Sequence, residues 1–291
     1  MERTQILKHI LAEATKGELH FPTSNMAAMR VRNVLDDPDC TLDEVTRLAK
    51  ADPLMAARVV ALANSVVFNP SGREISDVRG AVSRLGFKAM RAVAAAVATR
   101  QLAGSPKDTV TKDCVMKLWE HTVHVAALAH VIARRVTKQE PEAAMFAGIV
   151  HEVAGFYLLS RAEAYPGLMD CDLTDWLRDD NSEIEGEGQA ASGTEVELGR
   201  TVLKAFSVPR PIVEGIEAMW KGYLALPPTT LGDTLLLADQ LTPVHSPLRE
   251  PVADDQDGVA NIDMIIDKET LAGILKDSAE QANSLISALR F

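Results

Sequence analysis

Residues 52–65 read DPLMAARVVALANS, and their reading decides the fold. The Asp52 carboxylate can accept from the free N–H groups of a first helical turn, and Pro53 presets φ at the first helical position. Leu54, Val59, Leu62 and Ala63 follow on helical spacings and line one face. The helix should stop near Asn64-Ser65, before the turn at Asn69-Pro70-Ser71-Gly72. Outward from this segment, alanine, leucine and valine recur at threes and fours, and no run alternates like a strand. Further helices are predicted over 2–16, 24–36, 41–50, 78–84, 87–102, 113–136, 141–160, 195–206, 209–220, 229–241 and 267–289. The expected fold class is all-α.

The chain has 291 residues, 47% hydrophobic and 24% charged, enough to bury a core without a disulfide or a structural metal. A net charge of −11 repels phosphate backbones and anionic headgroups, so neither nucleic acid nor membrane is expected as a partner. Arg84, Lys88, Arg91 and Arg100 make only a modest basic stripe. Cys40, Cys114 and Cys171 form neither a CxxC pair nor a zinc pattern and read as reduced thiols. The first residues, MERTQILKHILAEATKG, lack the apolar core of a signal peptide, and the longest apolar run, Ala92 to Ala98, is far short of the ~20 residues that span a bilayer. A cytoplasmic location is expected.

Two stretches read as exposed segments. Residues 170–197 carry ten carboxylates against the single base Arg178. A partner-recognition or gating role is the alternative reading of that stretch. Residues 243–258 hold three prolines and the run Asp254-Asp255-Gln256-Asp257-Gly258, which lacks the ligand spacing and terminal glutamate of an EF-hand. Neither a GxGxxG, a P-loop nor a GxSxG elbow occurs.

One constellation can carry chemistry. His121 lies in Trp119-Glu120-His121-Thr122-Val123-His124, inside a helical stretch. Thirty residues on, Ala147-Gly148-Ile149-Val150-His151-Glu152-Val153-Ala154-Gly155 places a histidine beside a carboxylate in an apolar helix, and Asp239 is embedded in Leu235-Leu236-Leu237-Ala238-Asp239-Gln240-Leu241. His121, His151, Glu152 and Asp239, on three helices, can surround a single divalent metal in a bundle interior. A structural polar network that holds the helices in register is the other reading of the same residues.

This spacing resembles the HD superfamily of metal-dependent phosphohydrolases: a histidine, a His-Asp pair, then a distant aspartate. Glu152 departs from that pattern, where the family has aspartate. Over roughly residues 19–241 the chain is more similar to one branch, the HDOD domain proteins of bacterial signalling. Leu19-His20-Phe21-Pro22 resembles that family's entry motif, residues 52–65 its central signature, and Ile75 to Gly86, ISDVRGAVSRLG, the segment that follows. The signature positions are Asp52, Pro53, Asn64, Ser65, Gly86 and Trp119. The resemblance implies an N-terminal HDOD helical subdomain (1–110), a degenerate HD-like helical subdomain (111–245) and a C-terminal loop and helix (246–291). It also implies a non-catalytic signal-transduction module that binds a signalling protein or a small ligand. Aligned on Leu198-Gly199 and Val208-Pro209, family histidines fall on Glu195, Met219 and Trp220, while Glu197 keeps the motif's glutamate. A binuclear enzyme of the HD-GYP type is therefore not expected, and Gly222-Tyr223-Leu224 lacks the GYP proline. The competing expectation is a mononuclear metal-dependent phosphohydrolase acting on a nucleotide or phosphodiester.

Overall fold

The computed structural model describes residues 3–16, 19, 26–168, 193–225, 227–248 and 268–288, and among these no strand occurs. The helices are α1 (Arg3–Thr15), α2 (Met26–Leu35), α3 (Leu42–Lys50), α4 (Pro53–Ala63), α5 (Val78–Leu102), α6 (Thr109–Ile132), α7 (Pro141–Val150), α8 (Val153–Arg161), α9 (Gly193–Ala205), α10 (Arg210–Trp220), α11 (Leu231–Leu241) and α12 (Lys268–Ala288). The all-α class expected from the spacing is the class adopted. His20–Pro22, Cys171, the bulk of the acidic 170–197 stretch and the Asp254–Gly258 run lie outside the described residues.

Side-chain caps set the helix starts. Asp52 accepts from Met55 N–H at 3.1 Å, Asp77 from Gly80 N–H at 2.9 Å and Asp108 from Thr111 N–H at 2.7 Å. Each satisfies a donor that has no partner within its own helix. Several expected boundaries move, among them that of α6, expected at 113–136 and found at Thr109–Ile132. The helices expected at 78–84 and 87–102 are one element, kinked at Gly86, whose φ of 70° only glycine adopts without strain. The single helix expected at 141–160 is broken at His151–Glu152. Its two halves form the span Pro141–Arg161, the one described stretch long and apolar enough to cross a bilayer, and that span lies mostly buried inside the protein.

The core is built on α5, α6 and α7. Ala92 to Thr99 of α5 are all buried, and their small side chains let neighbouring helices come close. Gly148 of α7 lies against the backbone of α6, where a β-carbon would stand 2.6 Å from Ala126 Cα. C-terminal to the core, α12 packs on α6 and α4, with Arg58 donating to the Ala288 carbonyl and Arg135 paired with Asp277.

Two polar ties hold loops to this core. Asn64 ends α4 and treats Ile75 as a strand partner would: Nδ2 donates to Ile75 O at 2.7 Å and Oδ1 accepts from Ile75 N–H at 2.9 Å. The signature Asn64-Ser65 is thus a polar tie between helix end and loop. Asp233 accepts from Ala225 N–H, Thr229 N–H, Thr230 N–H and Thr230 Oγ1, at 2.7–3.0 Å, and fastens Ala225, Thr229 and Thr230 to the first turn of α11. Burial pushes its carboxyl up, but these donors outweigh burial and hold it below its ordinary value of 3.8.

Asn64→Ala should lower stability by about 1–3 kcal/mol, because both Ile75 backbone groups lose their partner. Urea denaturation of the full chain measures it. Asp233 stabilises the fold in its charged form. Its contribution is therefore complete above pH 3.8 and is lost as pH falls through the depressed native value. The stability gap between wild type and Asp233→Asn should be clear at pH 6 and shrink toward pH 3.

Candidate metal centre

His121 sits midway along α6 and is 1% exposed. Its Nδ1 lies 2.8 Å from the Val244 carbonyl oxygen, which can only accept, so Nδ1 carries the ring proton and Nε2 is a lone pair. His151 stands in the break after α7, and its Nδ1 lies 2.7 Å from the Gly148 carbonyl oxygen. The same logic makes its Nε2 a lone pair. The two Nε2 atoms face each other across 3.3 Å, with the rings tilted by 53°. Asp239, near the end of α11, brings Oδ1 to 3.4 Å from His121 Nε2.

Two lone pairs and a carboxylate oxygen therefore converge, all three within 4.8 Å of one another. Neutral imidazoles so oriented cannot hydrogen-bond to each other, and a cation placed between the donors would bridge them. The donor set suits a metal. Ligand bonds of about 2.0–2.2 Å place two donors on one ion roughly 3.0–3.5 Å apart, and the His121 Nε2 separations from His151 Nε2 and Asp239 Oδ1, 3.3 and 3.4 Å, fall in that range. The backbone carbonyls that hold both Nδ1 protons are the outer partners that fix ring orientation in histidine metal sites. His121 and His151 are buried, whereas Asp239 is 20% exposed and gives the site its solvent side.

Glu152 is not one of the group, which corrects the expected set of four. The chain leaves helical geometry at Glu152 (φ −104°, ψ 18°), and its Oε2 lies beside Gly155, 3.6 Å from where a β-carbon there would be. That places its carboxylate along the first turn of α8, three residues on, and outside the converging donors. The two carbonyls, Gly148 and Val244, are functional groups that residue types could not reveal, since every residue has one. His124 also stays outside the group, and burial pushes its imidazole below the ordinary value, Glu120 acting upward and His121 downward.

The flanking positions are apolar. Leu248 fills the space left by the missing side chain of Gly155, with Leu118 beside it. Of the positions where the alignment set family histidines, Met219 is buried in the core and the Trp220 indole lies against Gly199, where a β-carbon would meet Cη2 at 2.7 Å. The signature residue Trp119 packs edge-on to Phe156, at 6.3 Å between ring centres, and is likewise a core residue. Arg135 and Arg161, two of the bases nearest the site in sequence, are committed to Asp277 and Glu13.

The family model described as HDOD domain matches residues 21–221. No curated protein matches the chain by sequence. Solved structures with the same fold include a Shewanella amazonensis SB2B protein that bears the provisional name metal-dependent phosphohydrolase. It is 22% identical with a TM-score of 0.70, over 97% of this chain and 99% of that one. An HDOD domain protein of unknown function from Geobacter sulfurreducens is 20% identical at 0.64, over 99% of this chain and 100% of that one. A Marinobacter aquaeolei VT8 protein, provisionally named for signal transduction, is 18% identical at 0.60, over 94% of this chain and 60% of that one.

Gly148→Ala should separate α7 from α6 and move His151 away from His121. Overpacking of this kind costs about 1–3 kcal/mol. Chemical denaturation reads the loss, and a variant as stable as wild type would show that the close approach does not set the site.

Proposed function

Because this chain belongs to the HDOD domain family, we propose that it is a regulatory module of signal transduction that acts by binding a protein or a small ligand rather than by hydrolysis. The observation that carries this reading is that, among the described residues, His121, His151 and Asp239 are the one candidate metal group, while aligned family histidines fall on Glu195, Met219 and Trp220. A second metal has no ligand set at those positions. Of the bases nearest the site in sequence, Arg135 and Arg161 are paired elsewhere.

His121, His151 and Asp239 are the residues that would hold a single divalent metal. Bound there, a metal supplies Lewis acidity and acidifies a water ligand. The chain's own residues do something simpler. The Gly148 and Val244 carbonyls keep both Nε2 lone pairs in place, and Asp239 offsets the incoming charge. A cation so held ties α6, the α7–α8 turn and α11 together, a structural role that suits a module read by a partner. Direct nucleic-acid binding is not part of this proposal. Of the basic stripe on α5, Arg84 donates to the Ala63 and Arg73 carbonyls, Lys88 pairs with Glu140 and Arg91 with Asp36.

The second reading, a mononuclear phosphohydrolase, is favoured by the converging donors. One experiment separates the two. Untagged protein purified without chelator should contain about one equivalent of a transition metal by elemental mass spectrometry, lost in His151→Ala and in His121→Ala, with no turnover of nucleotide or phosphodiester substrates. Turnover abolished by His151→Ala would overturn the regulatory reading. Absence of metal from wild type would leave the triad as a proton-held network.

A further inference from the structure

Among the described residues, Arg32 breaks most sharply the rule that buried charge is paired. It lies on α2 with 1% of its surface exposed. Its Nη2 makes one long bond to Asn33 Oδ1 at 3.3 Å, while Nε and Nη1 have no hydrogen-bond partner. The Phe206 ring lies 5.6 Å from the guanidinium carbon. Burial lowers the group to about 10, with Asp36 acting upward and Arg91 downward, so it stays charged at neutral pH.

The neighbours do not complete it. Arg91, on α5, donates from Nη2 to the Leu35 carbonyl at 2.5 Å and holds Nε 3.2 Å from Asp36 Oδ1, without the alignment of a hydrogen bond. Asp36 is thus paired with Arg91 and acts on Arg32 only through space, and Arg32 Nε and Nη1 and Arg91 Nε have no hydrogen-bond partner. The Arg91 and Asp36 side chains are 28% and 31% exposed, whereas Arg32 is buried. A buried charge in this state weakens a fold, and exchange for an apolar side chain often strengthens it. Its presence calls for a ligand that supplies what the protein withholds.

We propose that Arg32 and Arg91 form an anion-receiving site for a phosphoryl group, at the junction of α2 and α5 with the chain just after α9. Two arginines from two helices suit a tetrahedral anion, whose oxygens point in several directions, and phosphate is the group that paired arginine forks bind most strongly. The acidic net charge slows the approach of such an anion and leaves the local contacts intact. This assignment gives a ligand class to the binding reading above and rests on it. Its test uses neither metal content nor turnover, so either claim can fail alone.

The test is the thermal midpoint of the full chain against inorganic phosphate and adenosine monophosphate, with sodium chloride at matched ionic strength as control. Wild type should rise by about 5 °C at a ligand concentration a hundredfold above Kd. Arg32→Met should lose that rise while melting in chloride at or above the wild-type temperature. Arg32→Lys, which keeps the charge and loses the fork, should bind at least tenfold more weakly. A nucleotide tighter than inorganic phosphate identifies a larger phosphorylated ligand, and equal affinities identify phosphate itself. No rise over chloride, or the same rise in Arg32→Met and Arg32→Lys, would overturn the proposal.

Discussion

Helices α6 and α7 meet with Gly148 pressed onto the backbone of Ala126, and most of the rest depends on that contact. Any side chain at 148 would hold the helices farther apart. Because they touch, His121 from one and His151 from the end of the other bring their Nε2 atoms to 3.3 Å. The Gly148 carbonyl then serves twice, as part of the close approach and as the acceptor that fixes the His151 tautomer. That second bond falls where α7 stops. A side chain that bonds to a nearby carbonyl offers the backbone an alternative to continuing the helix, and the chain turns at 151–152.

How much of this was legible in the sequence depends on how local each cause is. The cap Asp52 acts within three residues and could be read at once, as could the apolar faces that make the fold all-α; Asp108 is as local, yet the helix it starts was expected only from 113. The convergence of His121, His151 and Asp239 was legible as a pattern of residue types. The helix break was not, because residues 147–155 hold no proline and the apolar helical pattern resumes on either side of His151-Glu152. Glu152 was counted with the site because it adjoins His151 in sequence; in the structure its carboxylate lies beside Gly155, three residues on. The Val244 carbonyl left no trace in sequence, since its role depends on where a loop 123 residues away returns.

Structural duty explains the signature as well. Asp52 and Pro53 start α4, Asn64 ties its end to Ile75, Gly86 bends α5 and Trp119 packs on Phe156. None of these belongs to the triad. A motif made of caps, ties and bends specifies a scaffold and leaves the chemistry free to vary. This is consistent with neighbours of one fold that bear names as different as phosphohydrolase and signal transduction protein.

Two places break the local rules of the fold, and α5 lies between them. At one end Arg91 of α5 stands against α2 and the half-satisfied Arg32, and farther along, α5 packs on α7, which ends at His151. The opposite charge of the two centres sets what each can take: converging lone pairs and a carboxylate call for a cation, and unused guanidinium N–H groups call for an anion. A buried polar group without a partner is costly, and a ligand that supplies one relieves the cost. Of the elements that carry the two centres, α2 and α7 both pack on α5. The buried alanines of that helix leave little slack for it to move independently of α7, so the two centres are joined by a tightly packed element and not by a flexible loop.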